Sequence, residues 1–307
     1  MQVRMKELGL LATAGFLFLL SMNAYGANLT VRCGAREGLP TINAALKRLN
    51  PVGSNTLVVS GTCKENVLIR GFDRLTLIGQ TGAAIRDASG GTGIVLDIED
   101  SPRVTLRGFT ITGGAIGVFC GNFSVCRFEE NTVRGASGVG VQVVQSRASF
   151  GASTIENNGV GLTSLESSSV RTFGGVVIQQ NLVSGVDVDP GSSFASFGDT
   201  IRDNSGNGIE ANNHASLLML GTTVTGNAFN GVVVVSQSAA DVESDNVITG
   251  NGHSGVLVKD VSFAEFRLPN TITGNGSGLN VACLAQFPAT RGSLTNIVGG
   301  ITNCVEP

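Results

Sequence analysis

Eight stretches of this chain open on an apolar residue at nearly constant steps: Ile111, Val133, Ile155, Ile178, Ile201, Val224, Ile248 and Ile272. The steps are 22, 22, 23, 23, 23, 24 and 24 residues. Three residues on, six copies carry asparagine: Asn158, Asn181, Asn204, Asn227, Asn251 and Asn275. The two earliest copies have Gly114 and Ala136 there. A second column is glycine, each followed by Val, Ile or Leu: Gly117, Gly140, Gly161, Gly185, Gly208, Gly231, Gly255 and Gly278. Self-similarity at a period of roughly 20 to 50 residues marks a solenoid, a propeller or an array. A propeller blade needs about twice this length, and a leucine-rich repeat needs regular leucines and a helical half, neither of which is visible. What remains is a coil of short strands and turns, one coil per repeat.

Stacked coils sit about 4.8 Å apart, so equivalent residues pile into files. Asparagine tolerates the left-handed turn conformation, and its amide can bond the amides above and below. The glycines supply tight turns or permit close approach of two backbones. The Val, Ile and Leu columns are expected inside. Phe150, Phe173, Phe197 and then Leu220 recur at near-repeat steps and read as an internal stack. Each well-buried apolar side chain contributes about 1.5–3 kcal/mol. One coil cannot bury both its faces, so only the stack is stable. Composition agrees: glycine is 43 of 307 residues, 42% are apolar and only 14% charged, which excludes a disordered chain and argues against an ordinary helical enzyme.

The "ITGN…SGV" units resemble those of right-handed parallel β-helix proteins of the pectin-lyase-like kind, over roughly residues 57 to 300. The resemblance implies an all-β fold, a single-stranded right-handed parallel β-helix; the repeat steps give about 22–24 residues per coil, and an N-terminal capping α-helix is read from residues 41–50 below. It implies no particular activity, because lyases, hydrolases, epimerases, adhesins and phage proteins share that shape.

Residues 1–26 read as a signal peptide: Arg4 and Lys6, an apolar run from Leu8 to Met22, then the small residues Ala24 and Gly26, with cleavage expected before Ala27. Removing Arg4, Lys6 and Glu7 takes the formal charge from −3 to −4. Nothing basic suggests nucleic acid or, after cleavage, a membrane surface. A secreted or periplasmic location follows. Residues 27–56 read as an N-terminal cap, in which Ile42, Ala45, Leu46 and Leu49 share one helical face, Thr41 caps its start and Pro51 follows its end. Residues 57–278 read as the β-helix, and 279–307 as a closing segment. Six cysteines after a leader read as disulfides. Of 15 pairings open to six thiols, proximity favours Cys33–Cys63, Cys120–Cys126 and Cys283–Cys304.

Chemistry in a stack of coils falls to outward side chains on neighbouring rungs. Two residues after each glycine the column reads Phe119, Gln142, Thr163, Asp187, Glu210, Val233, Leu257, Asn280. Four after, it reads Gly121, Val144, Leu165, Asp189, Asn212, Val235, Lys259, Ala282. Asp187, Asp189 and Glu210 therefore gather as candidate catalytic residues, with Asn212, His214 and Lys259 as candidate substrate-binding ones. Carboxyl groups about 5–5.5 Å apart suit a retaining glycosidase and about 6.5–9.5 Å an inverting one. The same three acids are an alternative Ca²⁺ site, since that ion takes oxygen ligands, and in related lyases such an ion bridges an acidic sugar to the protein. No other cofactor is implied. The bland alternative is a solvated charged face.

Several features weigh against a typical sugar enzyme. The chain has no Trp, and its one Tyr, Tyr25, lies in the leader. The NTD, DD, GHG and RIK motifs that family hydrolases carry are absent, as are GxSxG and a P-loop, and His253 falls in a "GHS" turn. Two functions stay open. One is a secreted, non-catalytic structural module or a binder of carbohydrate or a cell surface, with Val233, Val235 and Leu257 as an apolar contact strip. The other is a polysaccharide hydrolase or lyase using the three acids.

Overall fold

The computed structural model describes residues 26–276, 278–284, 290–292 and 294–305. The leader reading at 1–26 falls outside them, apart from Gly26. The chain winds as an all-β, right-handed parallel solenoid with three sheets. Sheet A has twelve described strands, from Asn28–Arg32 to Thr290–Gly292. Sheet B has eleven, from Thr62–Lys64 to Ile297–Val298. Sheet C has ten, from Val67–Arg70 to Val281–Cys283. Each coil contributes one short strand to C, then A, then B, and the strand pairings among the described residues are parallel, as between Val186–Val188 and Ile209–Ala211.

Two boundaries move. Asn28 to Arg32 already pairs with Thr56 to Ser60 in sheet A, so the coils begin inside the expected cap. At the far end, Val281–Cys283, Thr290–Gly292 and Ile297–Val298 prolong all three sheets, so the segment from 279 is a further coil rather than a departure from the repeat. Its irregular spacing hid it. The cap helix is short, Ile42–Leu46, with the Thr41 hydroxyl accepting the Ala44 N–H at 3.1 Å. Ile42, Ala45, Leu46 and Leu49 are buried, and the helix packs on the first strands of sheets A and C. The Glu65 carboxylate accepts the Ile42 and Asn43 N–H groups at 2.6 and 3.0 Å. All three disulfides pair as proximity suggests: Cys33–Cys63, Cys120–Cys126 and Cys283–Cys304.

The asparagine file is a true ladder, at the B-to-C corner. From Asn181 on, each Oδ1 accepts both the backbone N–H and the Nδ2 amide of the asparagine one rung earlier, at 3.0 and 2.9 Å for Asn181 onto Asn204, while Asn158 accepts the Ala136 N–H. These asparagines are buried, and the left-handed conformation belongs to the residue before each: Asn157, Gln180, Asp203, Gly226, Gly250 and Gly274. The glycine column serves close approach. A Cβ on Gly185 would lie 2.6 Å from the Gly208 carbonyl oxygen and 2.8 Å from the Asn204 amide nitrogen. Gly278 falls out of that column. Val256 pairs with Val281, so Asn280 stands opposite Gly255, while Gly278 sits in a longer turn at φ +80°. Asn280 ends the ladder by accepting from Asn275.

The other two corners carry ladders of the same logic. At the C-to-A corner, serine hydroxyls accept the N–H of the previous rung, as from Ser101 to Ser124 to Ser146 to Ser168 to Ser192. At the A-to-B corner the acceptor varies: Asn131 for Phe109, Ser153 for Asn131, Asp199 for Val176, Asn246 for Thr222, Asn270 for Asn246. Buried N–H groups that the sheets cannot pair thereby find side-chain acceptors at all three corners.

The phenylalanine stack differs from expectation. Phe150 lies beside Phe128, with ring centroids 4.8 Å apart, and both are fully buried. Phe173, Phe197 and Leu220 form a separate outward file, where the Arg171 guanidinium lies 4.5 Å from the Phe197 ring centre. The pairing sets Phe150 opposite Thr172, so Phe173 is one residue off and points the other way.

Candidate functional site

The outward file of sheet C runs Leu68, Asp97, Phe119, Gln142, Thr163, Asp187, Glu210, Val233, Leu257 and Ala282. Its last member is Ala282 rather than Asn280, for the register reason just given. Asp187 and Glu210 are direct partners across two parallel strands. With Asp189, Asn212, Val183, Ser184 and Val188 they line a pocket of about 220 Å³. The sequence-derived acids and Asn212 therefore do come together. His214 and Lys259 are not among the pocket residues. His214 is exposed at the C-to-A corner with φ 65°, and Lys259 lies two rungs on, 3.8 Å from the Asp260 carboxylate.

Burial is the main force on Asp187. It lifts the carboxyl from its ordinary value near 3.8 to about 6, against a lowering hydrogen bond from Ser184 and with further lifting by Glu210 and Asp189. Its Oδ1 is buried without a partner, and so is the Oδ1 of Asn212. Glu210 is held by the Asn207 amide at 2.9 Å and Asp189 by the Asn213 amide at 2.7 Å. The pocket thus contains one acid of raised pKa with a single unpartnered oxygen, beside two acids anchored by amides. Sequence reasoning missed Ser184 and Asn207. Both directly precede a column glycine, as do Asn230 and Ser254, and that short polar file was the available signal.

The three acids of the Ca²⁺ alternative share the pocket but are not drawn together as a tight ligand set. Among the described residues, the one group of three acidic, His or Cys side chains whose ligand atoms all lie within 4.8 Å of one another is Cys33, Cys63 and Glu65. Both of its sulfurs are in a disulfide. Asp187, Asp189 and Glu210 share a pocket without converging to that degree. The apolar strip is corrected. Val233 and Val235 are only 4% and 5% exposed, so the pair offers little contact surface. A second acidic group on sheet A, Asp241, Glu243 and Glu265, is gathered around Arg267 at 3.0 to 3.4 Å and reads as an ion-pair network.

Stacked parallel rungs, corner ladders and a pocket on an outward sheet face define a β-solenoid. The chain belongs to the right-handed β-helix family: the model of the right handed beta helix region matches residues 92–247 and 164–293. Among solved structures it is similar to the A-module of the Azotobacter vinelandii mannuronan C-5 epimerase AlgE6, with 18% identity, a TM-score of 0.59, and 76% of this chain and 71% of that one covered. It is also similar to ORF18 of Geobacillus virus E2, with 12% identity, a TM-score of 0.68, and 84% and 60% covered. The pectate lyase Pel9A aligns more loosely, with 13% identity, a TM-score of 0.48, and 89% and 80% covered. These likenesses concern the fold. No curated protein sequence matches the chain.

Proposed function

We propose that the sheet C face binds a polysaccharide outside the cytoplasm and that Asp187 transfers a proton to it. The carrying observation is the Asp187 carboxyl, lifted to about 6 in a pocket where its inner oxygen has no partner. A general acid works best with a pKa near the working pH. Asp187 donates its proton to the glycosidic oxygen as the bond from that oxygen to the sugar carbon breaks. Glu210, one rung away and oriented by Asn207, offers its carboxylate to that carbon. Water then releases the sugar, with its proton returning to Asp187. Rung spacing of about 4.8 Å favours the closer, retaining arrangement of the two carboxyls. Three disulfides suit an oxidising compartment, secreted or periplasmic. No helix among the described residues is long and apolar enough to cross a membrane.

A non-catalytic binding module is the second reading. It is favoured by the prior engagement of Asp189 and Glu210 with asparagine amides and by the distance of Lys259 and His214 from the pocket. The test is a turnover screen of the protein on uronate and neutral polysaccharides. Proton donation predicts activity that falls as pH rises through about 6. It also predicts loss of that activity in Asp187→Asn and Glu210→Gln. Binding with no turnover on any substrate selects the module.

A further inference from the structure

Beside the acid pocket runs a file of turn residues that leads into successive strands of sheet C: Val183, Gly206, Phe229 and His253. The Phe229 N–H donates to the Gly206 carbonyl at 3.1 Å, and the His253 N–H donates to the Phe229 carbonyl at 2.9 Å. Val183 lines the pocket, and Gly206, Phe229 and His253 continue its file along the turns that precede the strands bearing Asp187, Glu210, Val233 and Leu257. Two large apolar side chains in the file stand out in solvent, Val183 at 51% and Phe229 at 49% exposed. The rung between them, which leads to Glu210, bears glycine. A Cβ on Gly206 would lie 2.7 Å from the Val183 carbonyl oxygen, so the file has a backbone-enforced notch at that level. The Phe229 ring is braced on its far side by His253, with ring centroids 5.1 Å apart and planes tilted by 48°.

We infer that the notch at Gly206 is a sugar-ring subsite and that Phe229 is its stacking platform, a specificity-determining residue beside the pocket. The inference rests on the polysaccharide reading above. A pyranose presents an apolar C–H face and a rim of hydroxyls. Phe229 matches the face, and the amides of Asn207 and Asn230 match the rim. Asn230 donates to Asn207 at 3.1 Å, which fixes both amides. An exposed aromatic supplies contact area at low entropic cost because it has few rotatable bonds. This supplies the aromatic surface that a chain without Trp lacked on inspection of its sequence.

The experiment measures Kd and steady-state kinetics with hexamers of galacturonate and of cellulose-type glucan, for the wild type and for Phe229→Ala, Phe229→Tyr and Asp187→Asn. The expected result is a Kd and KM at least fivefold higher in Phe229→Ala with kcat within twofold. Phe229→Tyr restores both, and Asp187→Asn loses turnover while keeping its Kd. An unchanged Kd in Phe229→Ala overturns the subsite and leaves the role of Asp187 standing. A weakened Phe229→Ala beside a fully active Asp187→Asn supports the subsite and removes the proton-transfer role. A wild type that binds neither hexamer overturns the subsite.

Discussion

The Oδ1 atom of Asn204 takes two hydrogen bonds from Asn181, one from the backbone N–H at 3.0 Å and one from the side-chain amide at 2.9 Å. Asn204 then repeats the arrangement onto Asn227, at 3.1 and 2.9 Å. Every interior asparagine is thus receiver for one rung and donor to the next. Asn204→Ala orphans two buried donors of Asn181, each costing about 1–3 kcal/mol. The expected loss is about 3 kcal/mol in a urea titration, against less than about 0.5 kcal/mol for a surface change. Arg134→Ala, at an exposed strand position, is the surface control.

Gly208→Ala tests the close approach of neighbouring coils. Its Cβ would lie 2.5 Å from the Gly231 carbonyl oxygen and 2.8 Å from the Asn227 amide nitrogen. Neither atom can retreat without breaking the ladder or the sheet, so a loss of about 1–3 kcal/mol is expected by the same titration. Gly198, with φ +69° and nothing within 4 Å of its Cβ position, carries backbone strain only, and Gly198→Ala is expected to cost about 1–2 kcal/mol with the coil spacing intact.

The two phenylalanine files separate cleanly. Phe150→Ala empties a fully buried site against Phe128 and is expected to cost about 3–5 kcal/mol. Phe197→Ala removes an outward, half-buried ring and its contact with Arg171, with an expected cost of about 1 kcal/mol. Equal losses at the two positions would contradict the register.

Asp187 carries a pH signature in stability. Its folded pKa of about 6 stands above the ordinary 3.8, so the native state holds that proton more tightly than the unfolded chain. Native stability is therefore lost as pH rises from about 4 through 6, by up to about 3 kcal/mol once the group is ionised. Asp187→Asn removes the penalty. The variant is expected to gain stability over the wild type at pH 7 and to match it at pH 3.5, in paired denaturation curves.

Identity between copies decides what a reader of the sequence sees. Six asparagines at one position announced their ladder because a side chain with both donor and acceptor bonds best to its own kind. The A-to-B corner stayed hidden because Asn131, Ser153, Asp199 and Asn246 all perform one task, offering an oxygen to an N–H, and no single letter repeats. The phenylalanines misled because side chains alternate sides along a strand, so a step of 23 where the local register is 22 moves a ring from core to surface. The acid cluster was legible from its spacing after the glycine column. Its burial was not, because outward positions are ordinarily wet and here Val183, Ser184 and Asn212 wall one of them off.

The corner ladders make each coil's upper and lower surfaces mutually compatible. A tandem duplication of one repeat length inserts a coil that meets familiar partners on both sides, and a deletion of the same size closes over its own gap. Such a molecule is a ruler cut to length in whole notches: its cross-section is conserved by chemistry while its reach along a ligand is free to vary.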